Sequence, residues 1–117
     1  MKVKNSDIAV VDLFCGVGGL TCGLKKAGLN VVAGIDNDVT CKYAYEENNQ
    51  ATFIEADVSK FASSRVEKLF KNAEIKIMVG CAPCQRFSSQ ANKYRRNIDT
   101  RTDVRWNLLR SFAQYIE

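Results

Sequence analysis

The stretch Ile8-Ala9-Val10-Val11-Asp12-Leu13-Phe14-Cys15-Gly16-Val17-Gly18-Gly19 decides how the rest of the chain is read. Ile8 to Phe14 is a short, β-branched, mostly apolar run with the length of a buried strand, and a glycine cluster cuts it off. Leu20, Gly23, Leu24 and Ala27 then recur at the spacing of one helix face, and Gly28 can take the left-handed conformation that ends a helix. The unit is a strand feeding a helix through a turn at which a ligand can approach the backbone.

The same pattern repeats downstream. Val31 to Ile35 reads as a second strand ending at Asp36, and Asp38 can cap a helix running to about Glu47, closed by Asn48-Asn49. Thr52 to Ala56 makes a third strand ending at Asp57, and Ser59 is expected to start a helix with Val66, Leu69 and Phe70 on one face. Ile75 to Val79 is a fourth strand leading into Gly80-Cys81-Ala82-Pro83-Cys84-Gln85-Arg86-Phe87-Ser88. Residues 85–102 are polar and basic without a period, which suits a loop. Asp103 opens a last helix with Leu109, Phe112, Ala113 and Ile116 as its apolar face. Alternating strands and helices predict an α/β fold, a Rossmann-like, mostly parallel sheet with flanking helices and right-handed crossovers. In such sheets ligands sit beyond the carboxyl ends of the strands, and here those ends carry Phe14-Cys15-Gly16, Asp36, Asp57 and Pro83-Cys84.

Composition narrows the chemistry. At 117 residues the chain is read as one domain, able to bury roughly two-thirds of its unfolded surface. No apolar run approaches the roughly 20 residues that span a bilayer, and Met1 to Asp7 lacks the features of a secretory signal. No membrane association is expected, and the compartment is expected to be the cytoplasm, or the nucleus in a eukaryote. Five cysteines, at 15, 22, 41, 81 and 84, suit reduced thiols better than a disulfide framework. The absence of histidine excludes a Cys-His pair, a Ser-His-Asp triad and any histidine-containing zinc site within the chain, and no metal is expected. The net charge of +4 is concentrated between Arg86 and Arg110, where seven basic residues face only Asp99 and Asp103. That run, Arg95 and Arg96 included, is either a solvated face or a set of phosphate contacts, and its position just after Cys84 favours the second.

The glycine turn fails as a dinucleotide fingerprint, because the third glycine of G-x-G-x-x-G would fall at Thr21. A nucleoside cofactor without a pyrophosphate fits better. Asp36, twenty residues after Gly16, is placed to accept from a ribose diol. Asp57 can accept from an adenine amino group or cap a local turn. Pro83 fixes its own φ and restricts the residue before it, so Cys84 leaves the strand in a stiff turn that suits a nucleophile. Cys81-Ala82-Pro83-Cys84 also satisfies C-x-x-C. A redox pair would sit at a helix start, however, and a zinc knuckle needs a second ligand pair. Cys81 is read instead as a small buried residue closing the strand, and Cys15, Cys22 and Cys41 as packing residues.

Asp12-Leu13-Phe14-x-Gly16-x-Gly18-Gly19, Pro83-Cys84-Gln85-x-Phe87-Ser88 and Asp103-x-Arg105 together resemble the amino-terminal part of the S-adenosylmethionine-dependent cytosine C5 methyltransferases. The resemblance covers nearly the whole chain, and its proline-cysteine-glutamine segment is the most specific part. It implies that Cys84 adds to C6 of a cytosine flipped from DNA, so that C5 can take the methyl group. Phe14, Gly16 and Gly18 would line the cofactor S-adenosylmethionine, Asp36 would hold its ribose and Asp57 its adenine. Pro83 would hold the thiol turn, and Arg105 would help anchor the region. Gln85, Ser88, Arg95 and Arg96 would contact the nucleic acid. Asp36-Asn37 departs from the glutamate and aromatic residue frequent in the family, which puts adenine stacking at position 37 in question.

The family's Glu-Asn-Val segment, its arginine-containing strand, its target-recognition domain and its final cofactor-binding segment do not occur between Met1 and Glu117. Residues 1–117 are therefore expected to be the amino-terminal part of an incomplete methyltransferase catalytic domain of restriction-modification type, from a truncated chain or a split enzyme. A complementary chain would be its partner. Alone it is expected to bind cofactor weakly, to methylate nothing, and to self-associate through an unfinished sheet edge. The alternatives are a tRNA cytosine C5 methyltransferase and a non-catalytic fragment that binds nucleic acid or a partner. A redox protein is a distant further reading.

Overall fold

A computed structural model describes residues 4–81, 110 and 113–115. Four strands, β1 (Ile8–Leu13), β2 (Val31–Asp36), β3 (Thr52–Glu55) and β4 (Ile75–Gly80), form one sheet in the order β3-β2-β1-β4. Every pairing is parallel. Three helices connect them, α1 (Gly19–Lys26), α2 (Lys42–Asn49) and α3 (Ser63–Phe70), with short 3-10 turns at Asn5–Asp7 and Val39–Cys41. The order reverses at β1, so the carboxyl edge of β1 is the switch point where such sheets bind ligands.

Burial explains why β1 is almost wholly apolar. Its side chains alternate between two covered faces. Ala9, Val11 and Leu13 join Ile35, Val58, Phe61, Val66 and Phe70 in the core beneath α3. On the opposite side Asp12 meets Thr21 of α1, and Cys15, Tyr45 and Phe53 form a second, smaller cluster beneath α2. The Tyr45 and Phe53 rings meet edge to face, 5.7 Å between centroids.

Four sequence expectations change. The face Leu20, Gly23, Leu24, Ala27 does not pack on the sheet: Leu20, Gly23 and Ala27 are exposed and Leu24 half-buried, whereas Thr21 is the buried residue of α1. A hydrogen bond to buried Asp12 turns the polar side of the helix inward. The third helix starts at Ser63 rather than Ser59, because the Asp57 carboxylate takes both the N–H and the hydroxyl of Ser59 and closes a separate turn. Cys81 is exposed rather than buried, since it follows β4, which among the described residues is paired on one side only and only partly covered. Ala113 is exposed, and the segment is anchored instead by Tyr115, which packs against the core beneath α3 and places its hydroxyl at the carbonyls of Val58 and Phe61.

Gly28 ends α1 with φ +91°, as its sequence position predicted. Asp38 caps the 3-10 turn that leads into α2, accepting from the Thr40 N–H at 3.0 Å. The loop 85–102 and the start of the last helix at Asp103, with Leu109, Phe112 and Ile116, lie outside the described residues.

Candidate functional site at the carboxyl edge of the sheet

Each strand delivers its last residue to one edge, and main-chain bonds hold those ends together. The Cys15 N–H donates to the Ile35 carbonyl at 3.2 Å, and the Ala56 N–H donates to that of Asp36 at 3.0 Å. The glycine turn, Asp36 and the residue before Asp57 are thereby brought side by side. On the other flank Leu13 pairs with Gly80, so the chain enters the Cys81 segment at the same edge.

The turn itself is conformationally unusual. Phe14 has φ +56°, Gly16 +54° and Gly18 +93°. A left-handed conformation costs a bulky residue such as phenylalanine about 1–2 kcal/mol, so the surroundings must hold it there. They do so in three ways. Asp36 Oδ2 accepts from the Gly16 N–H at 2.9 Å, while its Oδ1 accepts from the Asp38 N–H, also at 2.9 Å. The Gly18 N–H donates back to the Cys15 carbonyl at 2.9 Å. Beneath Gly18 lie the Tyr45 ring and the Asn49 amide, so close that a Cβ there would sit 2.7 Å from Tyr45 Cδ2. At Gly16, by contrast, a Cβ would meet no heavy atom of the described residues within 4 Å.

Under the turn runs a buried polar chain that the sequence did not disclose. The Thr21 hydroxyl donates to Asp12 Oδ2 at 2.7 Å, and the Tyr45 hydroxyl lies 3.0 Å from Thr21 Oγ1. Because Thr21 spends its one proton on the carboxylate, Tyr45 is the donor to Thr21. Burial pushes the Asp12 carboxyl above its ordinary range, partly offset by the Thr21 hydroxyl and N–H. Burial likewise pushes Tyr45 up to about 12. Asn49 Nδ2 donates to the Tyr45 carbonyl at 2.9 Å, and its Oδ1 has no partner among the described residues.

Two thiols near the turn are shifted toward the protonated form. Cys15 is buried, and desolvation first, then the charges of Asp12 and Asp36, drive its thiol far above the ordinary range. Cys41, only half-buried, is raised by desolvation first, then by the charges of Asp38 and Asp36. Both shifts lower the thiolate fraction that nucleophilic attack requires. Asp57 is pulled below the ordinary carboxylate range, chiefly by the Ser59 hydroxyl. Its Oδ1 serves the local turn, and its Oδ2 takes no part in those bonds.

Of the residues singled out from sequence, Phe14, Gly16, Gly18, Asp36 and Asp57 therefore converge on one edge. Pro83, Cys84, Gln85, Ser88, Arg95, Arg96 and Arg105 lie outside the described residues. Thr21 and Tyr45 went unnoticed because nothing in local spacing marks a residue that bonds 24 positions away. Gly34 was the available signal: a glycine inside a buried strand marks a close approach, and a Cβ there would lie 2.5 Å from Tyr45 Cζ. Among the described residues no group of three or more potential ligands could hold a metal ion, and no helix is long and apolar enough to cross a membrane.

Comparison with known proteins agrees with this architecture. The type II methylase M.HgiDII of Herpetosiphon aurantiacus is 51% identical over 108 residues, which cover 92% of this chain and 29% of that protein. The chain thus spans under a third of the length of that curated relative. A crystal structure assigned as a prophage-encoded DNA modification methyltransferase of E. coli superposes with a TM-score of 0.68 at 27% identity, covering 93% of this chain and 28% of the other. Spodoptera frugiperda DNMT2 shares the fold, with a TM-score of 0.58 at 23% identity over 86% of this chain and 30% of its own. The family profile of the C-5 cytosine-specific DNA methylases matches residues 8–117, nearly the whole sequence, and the chain belongs to that family.

Proposed function

We propose that the chain is the cofactor-binding and nucleophile-bearing part of an enzyme that transfers a methyl group from S-adenosylmethionine to C5 of cytosine in DNA. The observation that carries this reading is the grip of the Asp36 carboxylate on the Gly16 N–H, which sets an acidic group beside an open glycine turn. The residues fit the cofactor. Each Asp36 oxygen accepts one main-chain N–H and keeps a lone pair for a ribose hydroxyl. The open face of Gly16 admits a ligand against the backbone, and Asp57 Oδ2 is available to an adenine amino group. Phe14 and Gly18 shape the wall, with Gly18 backed by Tyr45.

S-adenosylmethionine supplies an electrophilic methyl group. Cytosine C5 is too poor a nucleophile to take it unaided. The Cys84 thiolate would add to C6 and direct the C5=C6 electron pair to C5, which would take the methyl group as the carbon–sulfur bond of the sulfonium breaks and its electron pair stays on sulfur as the neutral thioether. Loss of the C5 proton then restores the double bond and expels the thiolate. Pro83 stiffens the turn that presents Cys84, and the base must leave its stack to reach the thiol. Gln85, Ser88, Arg95 and Arg96 are assigned to the nucleic acid, the arginines through phosphates.

Labelled methyl transfer to cytosine-containing duplex DNA and to tRNA tests the reading, with this chain alone and with the remaining segments of its type II relatives restored. Calorimetric binding of S-adenosylmethionine by both forms is expected, along with DNA methylation by the restored form only. Cys84→Ser should abolish transfer and keep cofactor binding. Transfer that survives Cys84→Ser, or no cofactor binding, would overturn the proposal. Methylation of tRNA alone would move the substrate to RNA.

A further inference from the structure

We propose that Tyr45 is a positioning residue for the glycine turn, acting through its ring beneath Gly18 and Gly34 and through its hydroxyl on Thr21. Three observations converge on that one side chain. It is fully buried, although it comes from α2, an element that otherwise contributes little to the core. Both Gly18 and Gly34 are glycines where a Cβ would strike it, at 2.7 Å from Cδ2 and at 2.5 Å from Cζ. At Gly18 the positive φ independently requires glycine, but Gly34 has no such backbone demand, so its missing side chain is explained by contact alone.

The hydroxyl end completes the arrangement. Tyr45 donates to Thr21, and Thr21 donates to Asp12, which lies in register with Gly34 across the β1–β2 pairing. The turn from Phe14 to Gly18 leaves β1 one residue after Leu13 and enters α1 just before Thr21. Its two ends are thus tied by the Thr21 to Asp12 bond, and its underside rests on the tyrosine ring. Asp36 holds only the Gly16 amide from the ligand side. Without Tyr45 the turn would keep the Asp36 bond to Gly16 and the Gly18 bond to the Cys15 carbonyl, and would lose the surface that sets the height of Gly18.

The consequence for cofactor binding rests on the function proposed above, whereas the shape of the turn does not. Amide hydrogen exchange of the free chain separates the two. Tyr45→Phe keeps the ring and removes the hydroxyl, Thr21→Val removes the link to Asp12, and Thr21→Ser retains it. In the first two variants, exchange at Gly16 and Gly18, whose N–H groups are both bonded, should rise about five- to tenfold, the worth of one hydrogen bond. Exchange at Val66 and Phe70 of α3, on the other face, should not change, and Thr21→Ser should match the wild type.

Gly34→Ala, which alters no φ requirement, should reproduce the loosening by displacing the Tyr45 ring and the Cys15 thiol, which a Cβ there would approach to 2.7 Å. Affinity for S-adenosylmethionine, measured by calorimetry, should fall by a similar factor in Tyr45→Phe. Unchanged exchange at Gly16 and Gly18, or an equal rise in α3, would overturn the positioning role. A response of the turn in a wild-type background that binds no cofactor would instead overturn the functional reading and leave the role of Tyr45 standing. Loosened exchange with unaltered affinity would show that the cofactor does not use the shape that Tyr45 sets.

Discussion

Asp12 is a carboxylate in the middle strand region where the sheet is covered on both sides, only 1% exposed. Its burial raises the carboxyl above the ordinary 3.8, with the Thr21 bonds pulling the other way but losing. The folded chain therefore holds this proton more tightly than the unfolded chain. The group adds stability below about pH 3.8 and loses it as pH rises through the folded value. Asp57, lowered by Ser59, does the reverse: it contributes above the ordinary value and its contribution is lost as pH falls. Asp12→Asn mimics the protonated form at every pH. Its stability deficit in urea denaturation should therefore shrink as pH rises from about 4 to about 7. A deficit that widens would mean that the Thr21 bonds outweigh burial. At this same scale the sequence located Asp36 and the glycines at the carboxyl edge of the sheet, because each sits where an apolar run stops. It misjudged Cys81, whose exposure depends on which neighbours cover β4.

Helix α1 shows how an element can be right in extent and wrong in orientation. Its period and its glycine stop were legible, and it runs Gly19–Lys26 as the spacing implied. Its apolar side nevertheless faces outward, because the strong buried bond from Thr21 to Asp12 fixes the rotation of the helix about its axis. Two glycines of this element separate backbone from packing effects. Gly28→Ala meets nothing nearer than Asn5 Nδ2 at 3.9 Å, so only its φ of +91° is at stake. The expected loss is about 1 kcal/mol by chemical denaturation. Gly18→Ala adds a collision with Tyr45 and Asn49 to a similar φ, and should cost at least about 3 kcal/mol as overpacking joins the conformational term. Equal losses at the two sites would show that Tyr45 yields freely, against its role as a support.

Among the described residues, apolar surface remains on three features. Val17 and Leu20 are 58% and 43% exposed at the start of α1, Val39 and Tyr43 are 48% and 78% exposed around the start of α2, and β4 is paired on one side only, with Ile75 exposed. Such surface favours association. Replacing both α1 residues, Val17→Ser with Leu20→Lys, should reduce self-association in sedimentation at high concentration without lowering the denaturation midpoint. A midpoint that drops as it would for a core residue would show that this face is covered in solution. The sequence by itself determined the alternation of strands and helices, the parallel sheet, and the residues at its carboxyl edge, since all of these follow from where apolar runs begin and end along the chain. Only the tertiary structure decided which side of α1 is buried, how the Asp57 turn is closed, and that Asp12, Thr21 and Tyr45 join beneath the glycine turn. Periodicity shows that a helix has an apolar side, but the partner that covers it, or the buried carboxylate that overrules it, is brought near only by the folding of distant segments.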